Sequence, residues 1–289
     1  MIPTKIALLT DSSADLRWEE ARENNIFFVP LRILCQDGEY LDGVDIRGQD
    51  IYRRLRSGEL PQTSLPRVED FSAKLHEIFD LGYDGVIAVM LSSGLSGTYN
   101  LARIVAEECR EQGRAMVAFD SLSGSLGLGM TVLQLAEDIR NGMGWEELTE
   151  RRVPQLIQNT YPFFTLDTLE YLQKGGRIGK VTALAGTMLQ IKPVMHMDDE
   201  GHLIPVSKAR GRKASLQALV QQMVETAVEP EEQTVFICHG DCIDDAEYTA
   251  SLIREKTGAK TVIINYVGPV IGAHTGPGVV SIFFLGTHR

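Results

Sequence analysis

Cysteine is scarce: Cys35, Cys109, Cys238 and Cys242 are the only four in 289 residues, and their spacing makes no disulfide framework. Scattered thiols of this kind suit a reducing compartment, and a chain this long buries enough apolar surface to fold without a covalent staple. Long apolar runs are missing as well. No window offers about 18 uninterrupted apolar residues, so no membrane span is expected. The first apolar run meets Asp11 at once, unlike a secretory leader. Positive charge is in deficit, with 28 Lys and Arg against 39 Asp and Glu and a net charge of −11. Such a field repels nucleic acid and anionic membranes. These absences predict a cytoplasmic globular protein with neither as a partner.

Several catalytic signatures are missing too. Gly179-Lys180 is followed by Val181, so the chain has no phosphate loop of the G-x-x-x-x-G-K-[ST] type. Gly124–Gly129 reads GSLGLG, with glycines at the wrong spacing for a dinucleotide fingerprint. Cys238-His239-Gly240-Asp241-Cys242 has two thiols around a histidine, but no second pair follows at zinc-site spacing. Neither a cofactor nor a metal is expected.

What is present is alternation. Short apolar runs at 6–9, 26–33, 85–91, 116–119 and 163–166 are followed by others at 193–197, 203–206, 235–238, 262–266 and 279–285. Helical spacing fills 97–111, 126–140, 213–227 and 244–257. This predicts an α/β fold whose first part is a largely parallel sheet with helices on its faces. After the polar stretch 155–161 the pattern changes, and Asp198-Asp199-Glu200-Gly201 reads as a hairpin turn. We therefore expect an α/β domain over 1–158 and a mixed α+β domain over 159–289.

Three small-residue loops follow expected strands: Thr63-Ser64-Leu65-Pro66, Ser92-Ser93-Gly94-Leu95-Ser96-Gly97-Thr98 and Asp120-Ser121-Leu122-Ser123-Gly124-Ser125. Serine and threonine cap helices routinely, but four hydroxyls in seven residues of the second loop exceed what a cap requires. Carboxyl ends of strands collect ligands, and free N–H groups and hydroxyls hold anions. A small anion site is the better reading. Gly94-Leu95-Ser96-Gly97-Thr98 also falls one residue short of a nucleophile elbow, which leaves open a serine esterase using Ser96 and His274. The segment 268–278 holds four glycines and two prolines around His274 and reads as a loop that lets a ligand approach the main chain. Residues 174–213 carry eight basic side chains and three acidic ones against the acidic background. Charge runs are usually solvated faces; the arginines here suit carboxylate or phosphate recognition by an acidic or phosphorylating partner.

In these residues the chain resembles the DegV family, and within it the fatty-acid-binding subunits of bacterial fatty acid kinase. The resemblance runs through Thr10-Asp11-Ser12, Thr63-Ser64-x-Pro66, Ser92–Tyr99, Asp120-Ser121 and Ser125-x-Gly127-x-Gly129. It continues through Leu169-Glu170-Tyr171-Leu172-x-Lys174-Gly175-Gly176-Arg177-Ile178-Gly179, Lys192-Pro193, Arg210-x-Arg212-Lys213 and Gly268–Gly278. Leu65 and Arg67 stand where Gln and Ser are common, and Gly211 interrupts the basic run. The resemblance implies a two-domain protein that buries a long-chain fatty acid between its domains. It implies that Thr63 and Ser96 hydrogen-bond the carboxylate, with His274 nearby, and that a separate ATP-binding kinase subunit converts the bound acid to acyl phosphate for phospholipid metabolism. The candidate fatty-acid contacts are Thr63, Ser64, Ser93, Ser96, Gly97 and His274; Arg177, Arg210 and Arg212 are the candidate kinase or phosphate contacts. A lipid carrier or sensor without a kinase is the remaining alternative.

Overall fold

A computed structural model describes residues 2–184 and 190–287. The first sheet has four strands, all parallel, in the order Ile26–Val29, Ile6–Asp11, Gly85–Met90, Ala115–Asp120. Ile6–Asp11 and Gly85–Met90 are buried at every position, as parallel strands covered on both faces must be. Ala7, Leu9, Val86 and Ala88 pack against Phe71, Leu75, Ala102 and Val105 from helices Val68–Asp80 and Thr98–Glu111. Leu8, Ile87 and Val89 on the other face meet Leu126, Leu128 and Leu135 of helix Leu126–Arg140.

A second sheet of six strands runs Leu203–Arg210, Ile191–Met197, Thr160–Thr165, Val280–Leu285, Thr234–His239, Thr261–Tyr266. Only its last pair is parallel. The fold is thus mixed α/β, with a parallel sheet flanked by helices and a second, mixed sheet. Residue 158 lies in helix Val153–Asn159, just ahead of the strand Thr160–Thr165. Helix Leu126–Arg140 contacts strands of both sheets, and for that reason Leu126–Val132 is buried all round. Gly127 lets it approach closely: a Cβ there would stand 3.0 Å from the Phe283 ring.

Two expectations are corrected. Residues 26–33 form two strands, because Pro30 has no N–H to donate. Ile26–Val29 stays in the parallel sheet, while Arg32–Cys35 pairs antiparallel with Gly38–Leu41 and Gln62–Ser64 in a small third sheet. Residues 268–278 are not a loop but contain the helix Pro269–Thr275. Proline at its first position and Gly276, with φ +72°, just after its end bound it on both sides.

The hairpin turn between Ile191–Met197 and Leu203–Arg210 docks on the end of the first sheet. Ser92 Oγ donates to the Gly201 carbonyl at 2.8 Å in a buried contact. Gly201 has φ +74°, and a Cβ on it would overlap that same hydroxyl. Gly94 lies against the Gly201 carbonyl from the other side, again where a Cβ would collide.

Candidate functional site

A cavity of about 360 Å³ opens at the carboxyl end of the parallel sheet, where the two sheets face each other. Its size is that of a small-molecule site. Leu31, Leu91, Phe164, Met197, Leu203 and Phe283 are buried lining residues from both sides, and Val270 and Ile271 come from the helix Pro269–Thr275. Thr63, Ser64, Ser96, Arg177, His274 and Thr275 add hydroxyls, an imidazole and a positive charge to this lining. Ser64 and Leu65 are solvent-exposed, so the mouth of the cavity lies beside them.

Each polar group is placed by its element. Thr63 sits on the strand Gln62–Ser64, paired across to Ile33. Its Oγ1 lies 2.7 Å from His274 Nε2. Ser96 precedes the helix Thr98–Glu111, and its hydroxyl is 2.9 Å from that of Thr98. Arg177 reaches back across the mouth, with Nε donating to the Leu95 carbonyl at 3.2 Å and a terminal nitrogen donating to the Gly175 carbonyl at 2.7 Å. Burial, reinforced by the Arg177 charge, holds the His274 imidazole down to about 4, so it is neutral near pH 7.

Of the nine residues singled out, the cavity lining brings together Thr63, Ser64, Ser96, His274 and Arg177. Ser93 lies outside it, its backbone N–H donating to the Asp120 carboxylate at 3.1 Å. Gly97 lies behind Leu65, where a Cβ would meet Leu65 Cδ1 at 3.4 Å. Arg210 donates to the Gln190 side-chain oxygen at 3.1 Å, and Arg212 is held by Asp245 at 2.8 Å. Ser125 and Ser281 also line the cavity, Ser125 with its hydroxyl donated to Asp15. Ser281 carried no sequence signal, being one hydroxyl inside an apolar strand.

A hydrolytic triad is not assembled among the described residues. His274 Nε2 faces Thr63 rather than Ser96, and Nδ1 has no partner on which an acid could act. The Cys238–Cys242 segment is structural: Cys238 is in the core, Cys242 Sγ donates to the Val279 carbonyl at 3.3 Å, and the Cys242 N–H donates to His239. Asp198, Glu200 and His202 cluster at the hairpin turn, but the Lys180 ammonium already sits on Asp198 and Glu200.

The family model for DegV, described as an uncharacterised protein family, matches residues 5–287. The chain belongs to the DegV family. It is 36% identical over 286 residues to a DegV domain-containing protein of Clostridium perfringens, with 98% of each chain covered. Among solved DegV structures it is similar to one from Thermus thermophilus described for its fatty acid binding. That match has a TM-score of 0.90 and 29% identity, over 98% of this chain and 100% of that one. A DegV lipid-binding protein of Thermotoga maritima matches with a TM-score of 0.86 and 30% identity over 99% of each chain. A DegV fatty acid binding protein of Bacillus subtilis matches with a TM-score of 0.88 and 28% identity, over 98% and 100%. Among the described residues of this DegV chain, no helix is long and apolar enough to cross a membrane.

Proposed function

We propose that this protein binds a long-chain fatty acid, with its chain along the apolar wall and its carboxylate at the mouth, and presents it to a separate ATP-dependent kinase. The observation that carries the reading is the Thr63–His274 pair in a cavity walled mostly by apolar side chains. Each buried methylene contributes about 0.8 kcal/mol, enough over a long chain to retain the lipid after ordering costs. The carboxylate leaves water only if donors meet it. Thr63, Ser96 and nearby loop N–H groups supply them, with Arg177 as the cation of the mouth. A head group at the mouth is within reach of a second protein, and the phosphate loop that this chain lacks then belongs to that partner. In this reading the protein is a binding subunit and the chemistry is the kinase's.

The test is organic extraction of the purified protein with mass spectrometry, followed by palmitate titration of Thr63→Val and Ser96→Ala. A stoichiometric fatty acid is expected, with affinity reduced by roughly 1–3 kcal/mol for each lost donor and an unchanged thermal melt. A lipid-free protein, or wild-type affinity in both variants, overturns the reading. One observation favours a carrier without a kinase: Arg210 and Arg212 already have intramolecular partners in Gln190 and Asp245. Acyl-phosphate formation with a cognate kinase and ATP separates the two.

A further inference from the structure

Gly175 and Gly176 follow the helix Glu170–Lys174, and they are glycines for different reasons. Gly176 has φ +71° and open space around it, so its backbone conformation asks for glycine. Gly175 has φ −78° and ψ −4°, which any L-residue adopts. What it lacks is room. A Cβ on Gly175 would overlap Nδ1 of His274 and stand 2.9 Å from its Cε1. The Nδ1–Cε1 edge of the imidazole occupies the space that a side chain at position 175 would need.

That contact bears on which ring nitrogen holds the proton. Nδ1 is buried and has no hydrogen-bond partner among the described residues. Tyr171 O accepts from the Gly175 N–H at 2.9 Å and Gly175 O from Arg177 at 2.7 Å, and neither is hydrogen-bonded to Nδ1. A proton on Nδ1 would be a buried donor with no acceptor, whereas a bare nitrogen facing the glycine Cα is the lesser loss. With the proton on Nε2, the imidazole donates to Thr63 Oγ1 across 2.7 Å. The threonine oxygen then accepts, and its own hydrogen is left for the cavity. In the opposite tautomer Thr63 would donate to the histidine and turn only lone pairs toward a ligand, which would repel an anion.

We infer that Gly175 is a positioning residue: it seats His274 as the Nε2–H tautomer, and so makes Thr63 a hydrogen-bond donor to the anionic head group. This rests on the fatty-acid reading for the ligand but not for the tautomer. The test has two parts. In the delipidated, ¹⁵N-histidine-labelled protein, the ring correlations of His274 are expected to show a protonated Nε2 and a bare Nδ1. Gly175→Ala is expected to weaken palmitate binding about tenfold, the effect of one lost donor to a charge. In a His274→Ala background the same change should cost nothing further, because the space is then vacant. A protonated Nδ1 in the wild-type protein overturns the inference, as does wild-type palmitate affinity in Gly175→Ala or an equal loss in both backgrounds. If the unaltered protein binds no palmitate, the fatty-acid reading fails while the ring spectrum still decides the tautomer.

Discussion

His274 is a neutral base held in place by one hydroxyl and one missing side chain, and its titration should register in the whole protein. In the unfolded chain a histidine titrates near 6.5, and in the fold this one is held to about 4. Between those values the folded state binds fewer protons than the unfolded state. Stability contributed by the neutral ring is therefore present above 6.5 and lost as pH falls toward 4. Urea melts of the lipid-free protein should show this loss, and His274→Gln should reduce it. An identical pH slope in the two proteins would remove the histidine from this role. At this scale the sequence was informative about chemistry and silent about contacts. Thr63, Ser96 and His274 stood out as hydroxyls and an imidazole among small residues. Gly175 did not, because a glycine kept for a neighbour 99 positions away looks like any glycine of a turn.

The helix that carries His274 is itself held from below. Asp15 Oδ1 lies where a Cβ on Gly268 would sit, and Asp42 lies beside the Val270 backbone, so two buried acids face the start of Pro269–Thr275. Burial, with Asp11 adding repulsion, pushes the Asp42 carboxyl up to about 7, despite the hydrogen bond from Ser12 and the charge of Arg47. Its sign is opposite to that of His274. The folded state holds the extra proton, so this contribution is present below 3.8 and is lost as pH rises through about 7. Asp42→Asn should flatten the fall in stability as pH rises from 3.8 to about 7, read by urea melts. A second element-level test concerns the hairpin. Gly201→Ala places a Cβ in both a left-handed backbone and the Ser92 hydroxyl, so it should destabilise by about 2–4 kcal/mol. A wild-type melt would show that the turn yields freely. The strands of the parallel sheet were legible as unbroken apolar runs because helices cover both their faces. Gln62–Ser64 was not, since three polar residues become a strand only through the edge that Arg32–Cys35 offers. Pro269–Thr275 was hidden by composition, its glycines and prolines serving as helix ends and close contacts rather than as a loop.

Across the whole molecule, the basic window 174–213 is less free than its charge count implies. Lys174 pairs with Glu170, Lys180 with Asp198, Lys192 with Asp167 and Arg212 with Asp245. Arg210 is exposed, and among the described residues it donates to the side-chain oxygen of Gln190. It is therefore the sharper probe of a docking face. Arg210→Glu should leave palmitate binding intact and reduce ATP-dependent turnover with a cognate kinase, more than Arg210→Ala does and with a dependence on salt. Normal turnover by the Glu variant would mean that this arginine faces only solvent. Arg212 is a poorer choice, since its loss leaves Asp245 without its cation as well.

The position of the helix Leu126–Arg140 has a consequence in time. One of its faces is covered by strands made before it, the other by Thr160–Thr165, Thr234–His239 and Val280–Leu285. Translation delivers the helix long before the last of those strands, and meanwhile Leu128 and its neighbours have only half of their cover. The cavity wall supplied by Phe283 arrives only with that last strand. A nascent chain stalled short of that strand has the hydroxyls of the mouth but no closed space behind them. On the proposed reading, lipid capture is thus an event of the finished polypeptide, and a ribosome-bound intermediate should bring hydrophobic surface to chaperones rather than fatty acid to a partner.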